Sequence, residues 1–221
     1  DTGVILSLPL DGTELLARVW KAEIRGVTGH TVPVFFLDTF HPENSERHLN
    51  LGLTLYGGDD WVRIRQEYLL GVGGVRLLEQ MGYDVDGLHL NEGHCTFALL
   101  EMLGKGWSRE ELAKRVLFTT HTPVPAGHDR FQWGDVEVVL GELMPKDAKQ
   151  LVIDAGDPEN GERISMSHLA VALSGPVNAV SNLNAWVASS MFADHHIAPI
   201  TNGVHHITWT CLLYTSPSPR D

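Results

Sequence analysis

The sequence predicts an α/β fold with a largely parallel β-sheet and flanking helices. Short apolar runs of strand length alternate along the chain with longer segments of helical periodicity, which is the pattern of βαβ units. The runs at 31–38 and 116–120 have the continuous apolar character of strands buried on both faces of a sheet. The chain has 221 residues, 43% of them hydrophobic, and is long enough to bury a substantial core.

The first predicted element is a β-hairpin. Strand-like runs at Val4–Leu8 and Leu15–Trp20 flank the dipeptide Asp11–Gly12, which is typical of a two-residue hairpin turn. Thr31–Asp38 then predicts a short buried strand that ends in a polar loop.

A long helix is predicted over Trp61–Met81. Asp59 and Asp60 precede it and suit its N-cap. The run Gly71–Gly74 inside this helix is compatible with a phosphate-binding glycine loop, but no strand leads into it. The sequence therefore favours close packing of the helix against a neighbouring element.

The rest of the chain continues the alternation of strands and helices. Strands are predicted at Leu88–Leu90, Val116–Thr120 and Val177–Ser181, with a final strand and loop at Ile197–Val204. Helices are predicted over Cys95–Leu103, after the capping box Ser108–Glu111, and over Val136–Leu143, Met166–Leu173 and Asn184–Phe192. Loops are predicted over Thr122–Trp133 and Asp154–Arg163.

Charge and composition exclude several classes of protein. The formal net charge of -12 argues against a nucleic-acid or anionic-membrane binder, because both need a basic face. No apolar run reaches the length of a membrane-spanning helix, and the N-terminus lacks a signal-peptide pattern. Two cysteines, Cys95 and Cys211, cannot form a disulfide framework, which favours a reducing, cytoplasmic location. The chain begins without Met and in mid-pattern, so we interpret it as a fragment.

Polar clusters follow three of the predicted strands. In open parallel sheets, ligands bind beyond the carboxyl ends of the strands, so these clusters should meet along one edge. They are Asn91–His94, Thr119–Thr122 and Thr201–His205, and the loop Tyr56–Asp59 is a fourth candidate. Their Asn, Thr and His side chains, with no Lys or Arg, suit a neutral polyhydroxylated ligand such as a sugar.

Other chemistries have less support in the sequence. A hydrolase would need a carboxylate pair, for which Glu92 and Asp59 are the candidates in these clusters. A metal site is the rival hypothesis, but no HExxH motif occurs, and His89 and His94 on a strand-to-helix turn would point apart. No GxSxG motif supports a Ser-His-Asp triad.

At these motifs the sequence resembles the α-glucan (glycogen/starch) phosphorylase family in its short bacterial and archaeal form. The matching stretches are Leu55–Asp59 with Arg63–Glu67, His89–His94, Phe118–Asp129, Val177–Ser181, and Ile200–His205 with Trp209. Their order and spacing both agree with the family from about residue 32 to residue 209.

The resemblance implies part of the N-terminal lobe of a two-lobed, Rossmann-like (GT-B) glycosyltransferase. Members cleave the terminal α-1,4-glucosyl bond of a glucan with inorganic phosphate and release α-glucose 1-phosphate with retention, and pyridoxal phosphate is their cofactor. By motif, His121 resembles the residue at the cleavage subsite and Asn202 resembles one that holds glucosyl hydroxyls. Glu92 and His94 resemble residues that line the adjacent glucose pocket, and Asp59 lies on what resembles a mobile gating loop.

The sequence departs from the family at several points. Asn182–Trp186 stands where the family tends to carry an Arg/Lys-Leu-His-x-Glu pattern, which leaves the role of that segment in doubt. The early glycine-rich phosphate loop and the C-terminal lobe, with the cofactor lysine, are absent. We therefore expect the isolated chain to bind no cofactor or metal and to be inactive. A non-catalytic glucan-binding module and a transferase that uses a nucleotide sugar are the alternatives, and homo-oligomerisation and allosteric regulation stay open.

Residues 211–221 differ in character from the rest of the chain. The stretch from Cys211 to Asp221 resembles the translation of a transposase adapter used in making sequencing libraries. A Pro/Ser-rich disordered terminus is the alternative interpretation. We expect residues 1–210 to be the phosphorylase-like segment and residues 211–221 to be a non-native tail.

Overall fold

A computed structural model describes residues 1–54, 58–157 and 161–204. The expectations about Tyr56, Gly57, His205 and the tail at residues 211–221 lie outside the described residues. Among the residues that are described, none of the helices is both long and apolar enough to cross a membrane.

The described part of the chain begins with three consecutive strands and continues with interspersed helices and strands. The strands are β1 (Ile5–Leu10), β2 (Thr13–Arg25), β3 (Thr31–Asp38), β4 (Leu88–Asn91), β5 (Val116–Thr120), β6 (Arg130–Gln132), β7 (Arg163–Ser165), β8 (Val177–Ala179) and β9 (Ile197–Pro199). The helices are α1 (Glu46–Leu49), α2 (Asp60–Gln80), α3 (Phe97–Gly104), α4 (Arg109–Arg115), α5 (Trp133–Leu140), α6 (Ala148–Asp154), α7 (Met166–Leu173) and α8 (Asn182–Met191).

Strands β4, β5, β8 and β9 form a four-stranded sheet in which every neighbouring pair is parallel. The strand order is β4-β5-β8-β9, and α3 and α4 connect β4 to β5 as a crossover. This sheet confirms the predicted parallel α/β core. The capping box of α4 is confirmed as well, with both the Ser108 and the Glu111 hydrogen bonds present.

The N-terminal strands form a separate antiparallel sheet in the order β1-β2-β3. Leu10 lies opposite Thr13, and the two turn residues, Asp11 and Gly12, have φ values of 52° and 70°. Positive φ at both central positions is the type I′ conformation, which suits the twist of a two-residue hairpin. The predicted hairpin is therefore confirmed.

The prediction that residues 31–38 form a buried strand was right about the strand and wrong about its burial. β3 pairs with β2 at the edge of the antiparallel sheet, and Val32 and Phe36 are 52% and 54% exposed. A continuous apolar run predicts burial on both faces, but the tertiary structure leaves one face of this edge strand uncovered.

The long helix α2 occupies the predicted segment. The Asp59 carboxylate accepts a hydrogen bond from the Val62 N–H at 3.0 Å and caps its N-terminus. The helix packs against α3, and a Cβ at Gly71 would lie 2.7 Å from the Ala98 nitrogen. The close-packing interpretation of this glycine run is therefore confirmed at Gly71, and no phosphate loop forms there.

Two glycines of α2 give a matched stability test. Gly71→Ala places its Cβ against the backbone of α3 and should destabilise the chain by about 1–3 kcal/mol through overpacking. Gly74→Ala meets nothing within 4 Å and should stabilise the helix by about 1 kcal/mol. Urea unfolding of both variants measures the difference, and equal midpoints would contradict this packing.

Four short elements were not predicted, and one of them is α1, in the segment after β3 that was expected to be a polar loop. β6 lies within the expected loop at 122–133, and β7 begins at the last residue of the expected loop at 154–163. The two strands form an antiparallel ribbon with Phe131 opposite Ile164, and α6 precedes the second loop. Strands of three residues are too short to show a period, and this ribbon forms through pairing more than thirty residues apart in sequence. Sequence periodicity could not reveal it.

Candidate functional site

Polar residues gather at the carboxyl edge of the parallel sheet, as the sequence predicted. Glu92 follows β4 and His121 follows β5, and the Glu92 N–H donates to the Thr119 carbonyl at 2.9 Å, which ties the two turns together. The segment after β9 returns to the same edge, because the Asn202 N–H donates to the Val180 carbonyl at 3.2 Å. The edge thus brings together the ends of β4, β5, β8 and β9.

A row of side-chain hydrogen bonds runs across the sheet just below this edge. The buried Thr119 hydroxyl donates to Asn178 Oδ1 at 2.7 Å. His89 Nε2 lies 2.7 Å from the same hydroxyl oxygen, and since that hydroxyl proton is already used, Nε2 is the donor. The side chains of His89, Thr119 and Asn178 are therefore hydrogen-bonded to one another across the sheet.

His121 is held at several of its polar atoms. Its Nε2 lies 2.7 Å from Asn91 Oδ1, an acceptor, so Nε2 carries a proton and Nδ1 is the acceptor nitrogen of the neutral ring. Asn184 Nδ2 donates to the His121 carbonyl at 3.1 Å, and the His121 N–H donates to Glu92 Oε1. The imidazole thus presents one acceptor nitrogen at the sheet edge.

The side chain of Glu92 forms hydrogen bonds with neighbouring residues of the protein. Its Oε1 accepts hydrogen bonds from the Thr122 N–H at 2.8 Å and the Thr122 hydroxyl at 3.0 Å, besides the one from His121. The residue is 7% exposed, and its backbone lies at φ 63°, ψ -175°. This region is occupied almost only by glycine and costs about 1–3 kcal/mol for other residues.

His94, two residues further on, belongs to a different group. Its Nδ1 lies 3.2 Å from Asp129 Oδ2 and 3.8 Å from Glu67 Oε1. Arg63 Nη2 reaches the same carboxylates, at 2.7 Å from Asp129 and 3.3 Å from Glu67. We call these four residues the Arg63 cluster; it joins α2 to the turn after β4 and to the segment before β6.

Burial and pairing shift the pKa values in the Arg63 cluster. Burial is the main cause that raises the pKa of Glu67 to about 8. Hydrogen bonds to Asp129 and Glu67 raise the pKa of His94 to about 9. Burial acts to raise the pKa of Asp129, but hydrogen bonds with His94, Glu67 and Arg63 outweigh it and hold that pKa well below its usual range.

The donor atoms of Glu67, His94 and Asp129 lie within 4.8 Å of one another, as metal ligands would. The Arg63 guanidinium already lies among them and supplies the positive charge that a cation would bring. The arrangement fits an ion-pair network that links α2, the turn after β4 and the segment before β6, and we assign no metal to it.

The remaining predicted residues take other positions. Asp59 is the N-cap of α2, so its carboxylate has a structural partner. Asn202 is exposed beside the end of β8. The sequence analysis assigned Asn184 and Asp129 no role in the site. Only their contacts with His121 and His94 connect them to it.

A cleft of about 1070 Å³ lies between β3, α2 and β4, away from His121. Its walls are mostly apolar, with Phe36, Leu70 and Leu78 among the lining residues, although Arg63, Glu67 and His94 border it. A sugar needs many hydrogen-bond partners, so we place the candidate sugar site at the sheet edge and not in this mostly apolar cleft.

Comparison with known proteins places the chain in one family. No family model matches the chain. It is 33% identical to the maltodextrin phosphorylase of Thermococcus litoralis over 225 residues, which cover 93% of this chain and 26% of that protein. The chain belongs to the α-glucan phosphorylase family. This phosphorylase chain is also 31% identical to the glycogen phosphorylase of Mycobacterium tuberculosis, in a match that covers 90% of this chain. It is 32% identical to the glycogen phosphorylase of Aquifex aeolicus, in a match that covers 87% of this chain.

The phosphorylase segment spans about a quarter of the length of these relatives, at 26% to 30%. The pyridoxal phosphate that the family resemblance implies would need a lysine and cations for its phosphate. The five lysines of the chain lie at positions 21, 105, 114, 146 and 149, and none is on the described turns after β4, β5, β8 or β9. These turns therefore do not fit the cofactor.

Proposed function

We propose that this chain supplies the glucosyl-binding edge of a complete α-glucan phosphorylase. The reaction transfers the terminal glucosyl unit of an α-1,4-glucan to inorganic phosphate. The bond between C1 and the glucan O4 breaks, a bond forms between C1 and a phosphate oxygen with retention, and the phosphate proton ends on O4. The products are a shortened glucan and α-glucose 1-phosphate.

The observation that supports this proposal most directly is the polar group around His121 at the carboxyl edge of the sheet. Apart from Glu92, its side chains are neutral donors and acceptors, namely Asn91, His121, Thr122 and Asn184. Neutral groups of this kind match the hydroxyls of a sugar, whereas a phosphate would need cations.

In this proposal His121 and Asn202 contact the glucosyl unit. His121 Nδ1 accepts a hydrogen bond from a sugar hydroxyl, and the His121 carbonyl faces the positive charge that develops at C1. Such contacts stabilise the transition state electrostatically and transfer no proton. Glu92, His94 and Asp59 border the glucose pocket while their polar atoms are bound within the protein.

The rest of the enzyme completes the site. We propose that residues 1–210 are part of the N-terminal lobe of a GT-B architecture. The remainder of the polypeptide then supplies the second lobe, the phosphate-binding cations and the residues that hold pyridoxal phosphate. A cytoplasmic location and a homo-oligomer are part of the same proposal.

The decisive experiment compares the complete polypeptide that contains this chain with the 221-residue chain alone. The complete protein should form glucose 1-phosphate from maltodextrin and phosphate, and the isolated chain should form none. Glucan binding without turnover would favour a binding module. Glucosyl transfer from a nucleoside diphosphate glucose would favour the alternative transferase, and either result would overturn the proposal.

A further inference from the structure

We propose that Glu92 and Asn184 are positioning residues that hold the backbone of His121 from two sides, an inference that rests on the proposed function of His121. Glu92 binds the N–H of His121 and Asn184 binds its carbonyl. Neither residue contacts the sugar in this arrangement. We call the two together the His121 clamp.

The hydrogen bonds of Glu92 explain why it acts on the protein and not on the substrate. One carboxylate oxygen, Oε1, accepts from the His121 N–H, the Thr122 N–H and the Thr122 hydroxyl. Bonds to a charged acceptor are about twice as strong as neutral ones, and three donors fill that oxygen. The carboxylate therefore fixes the first two residues after β5.

The backbone of Glu92 is a second, independent indication. At φ 63° and ψ -175° glycine would be free of strain, yet the chain places a glutamate there. A strained residue persists only where the surrounding structure holds it in that conformation. Here the hydrogen bonds from His121 and Thr122 to the Glu92 side chain hold it in place.

Asn184 holds the opposite side of the same residue. It is 7% exposed in the first turn of α8, and its own N–H donates to Ser181 Oγ at 3.1 Å. Its Oδ1 accepts from the Val180 N–H at 3.3 Å, while its Nδ2 donates to the His121 carbonyl at 3.1 Å. This amide joins the turn after β8 to the end of β5.

The clamp has a direct consequence for the reacting geometry. A carbonyl oxygen has two lone pairs, so the bond from Asn184 orients the His121 carbonyl and leaves one lone pair for a further partner. With Asn91 on the ring, backbone and imidazole are both set before a sugar binds. A displacement of about 1 Å in such a group can cost about 100-fold in rate.

Glu92 variants of the complete phosphorylase test the first half of the clamp. Glu92→Ala should lower kcat by about 100-fold with KM for glucan nearly unchanged, because His121 moves while sugar contacts remain. Glu92→Gln should restore most of kcat, because its amide oxygen can accept the same donors. Glu137→Ala, an exposed glutamate on α5, is the matched control and should match the wild type.

Asn184 variants test the second half. Asn184→Asp keeps the acceptor for the Val180 N–H but replaces the donor that faces the His121 carbonyl with an oxygen. It should lower kcat as Glu92→Ala does, with KM nearly unchanged. Asn182→Asp makes the same change at an exposed position of α8 and should have no effect.

Hydrogen exchange separates this inference from the proposed function. Exchange of the His121 and Thr122 amides, followed by mass spectrometry in the complete protein, should accelerate in Glu92→Ala and stay slow in Glu137→Ala, whether or not the protein is active. Unchanged exchange, or a rise in KM at constant kcat, would overturn the clamp. Loss of phosphorolysis in the wild type would instead overturn the proposed function.

Discussion

Replacing His121 with alanine should lower kcat of the complete phosphorylase by about 100- to 1000-fold, the usual cost of removing one preorganised polar contact to a transition state. The substitution removes the imidazole and its bond to Asn91, while the backbone bonds to Glu92 and Asn184 remain. The melting temperature should change little, because the ring lies at the partly exposed sheet edge. Initial rates of glucose 1-phosphate formation measure the effect.

The control for this prediction is His30→Ala, which changes an exposed histidine in the loop between β2 and β3. That variant should keep wild-type kcat. A His121→Ala enzyme that retains more than half of the wild-type rate would remove His121 from the proposed site.

Replacing Arg63 with methionine should have the largest effect on stability. Methionine keeps an unbranched side chain but removes the guanidinium, which forms an ion pair with Asp129 at 2.7 Å and a hydrogen bond with Glu67 at 3.3 Å. Loss of one partner from a largely buried ion pair leaves an uncompensated charge, which costs about 3–5 kcal/mol. Urea unfolding of the chain should show this loss, and Arg109→Met, at an exposed arginine of α4, should change stability far less.

The loss in Arg63→Met should increase with pH. The pKa of Glu67 is about 8 in the fold, above its ordinary 4.5, so its contribution to stability is present below pH 4.5 and is lost as pH rises toward 8. The pKa of His94, at about 9 against an ordinary 6.5, gives a loss in the same direction between pH 6.5 and pH 9.

Without Arg63 the carboxylate of Glu67 is harder still to form, so the variant should lose more stability than the wild type between pH 6 and pH 9. Parallel pH profiles for the two proteins would show that Arg63 does not act on Glu67.

The sequence predicted the parts of the fold that depend on local pattern. The hairpin at Asp11–Gly12, the cap of α2 at Asp59 and the strand at residues 116–120 each follow from neighbouring residues. It also predicted that polar residues would meet where β4 and β5 end, since parallel strands share one carboxyl edge.

Sequence position could not give the direction of each side chain. Glu92 and His94 are two residues apart, yet Glu92 turns toward His121 and His94 toward Asp129, because a short 3₁₀ turn begins between them. The contact of Asn184 with His121 joins residues 63 apart in the chain. No local pattern encodes such a pairing.

The sequence by itself determined which residue types stand at the ends of the parallel strands and which family the motifs resemble, because both depend on short-range order along the chain. The tertiary structure decided which polar atoms are left for a ligand and which are used to hold the protein together. It also decided that β3 is an exposed edge and that Arg63 joins three elements. Those outcomes depend on packing between distant segments, whose energies are set only when the chain has folded.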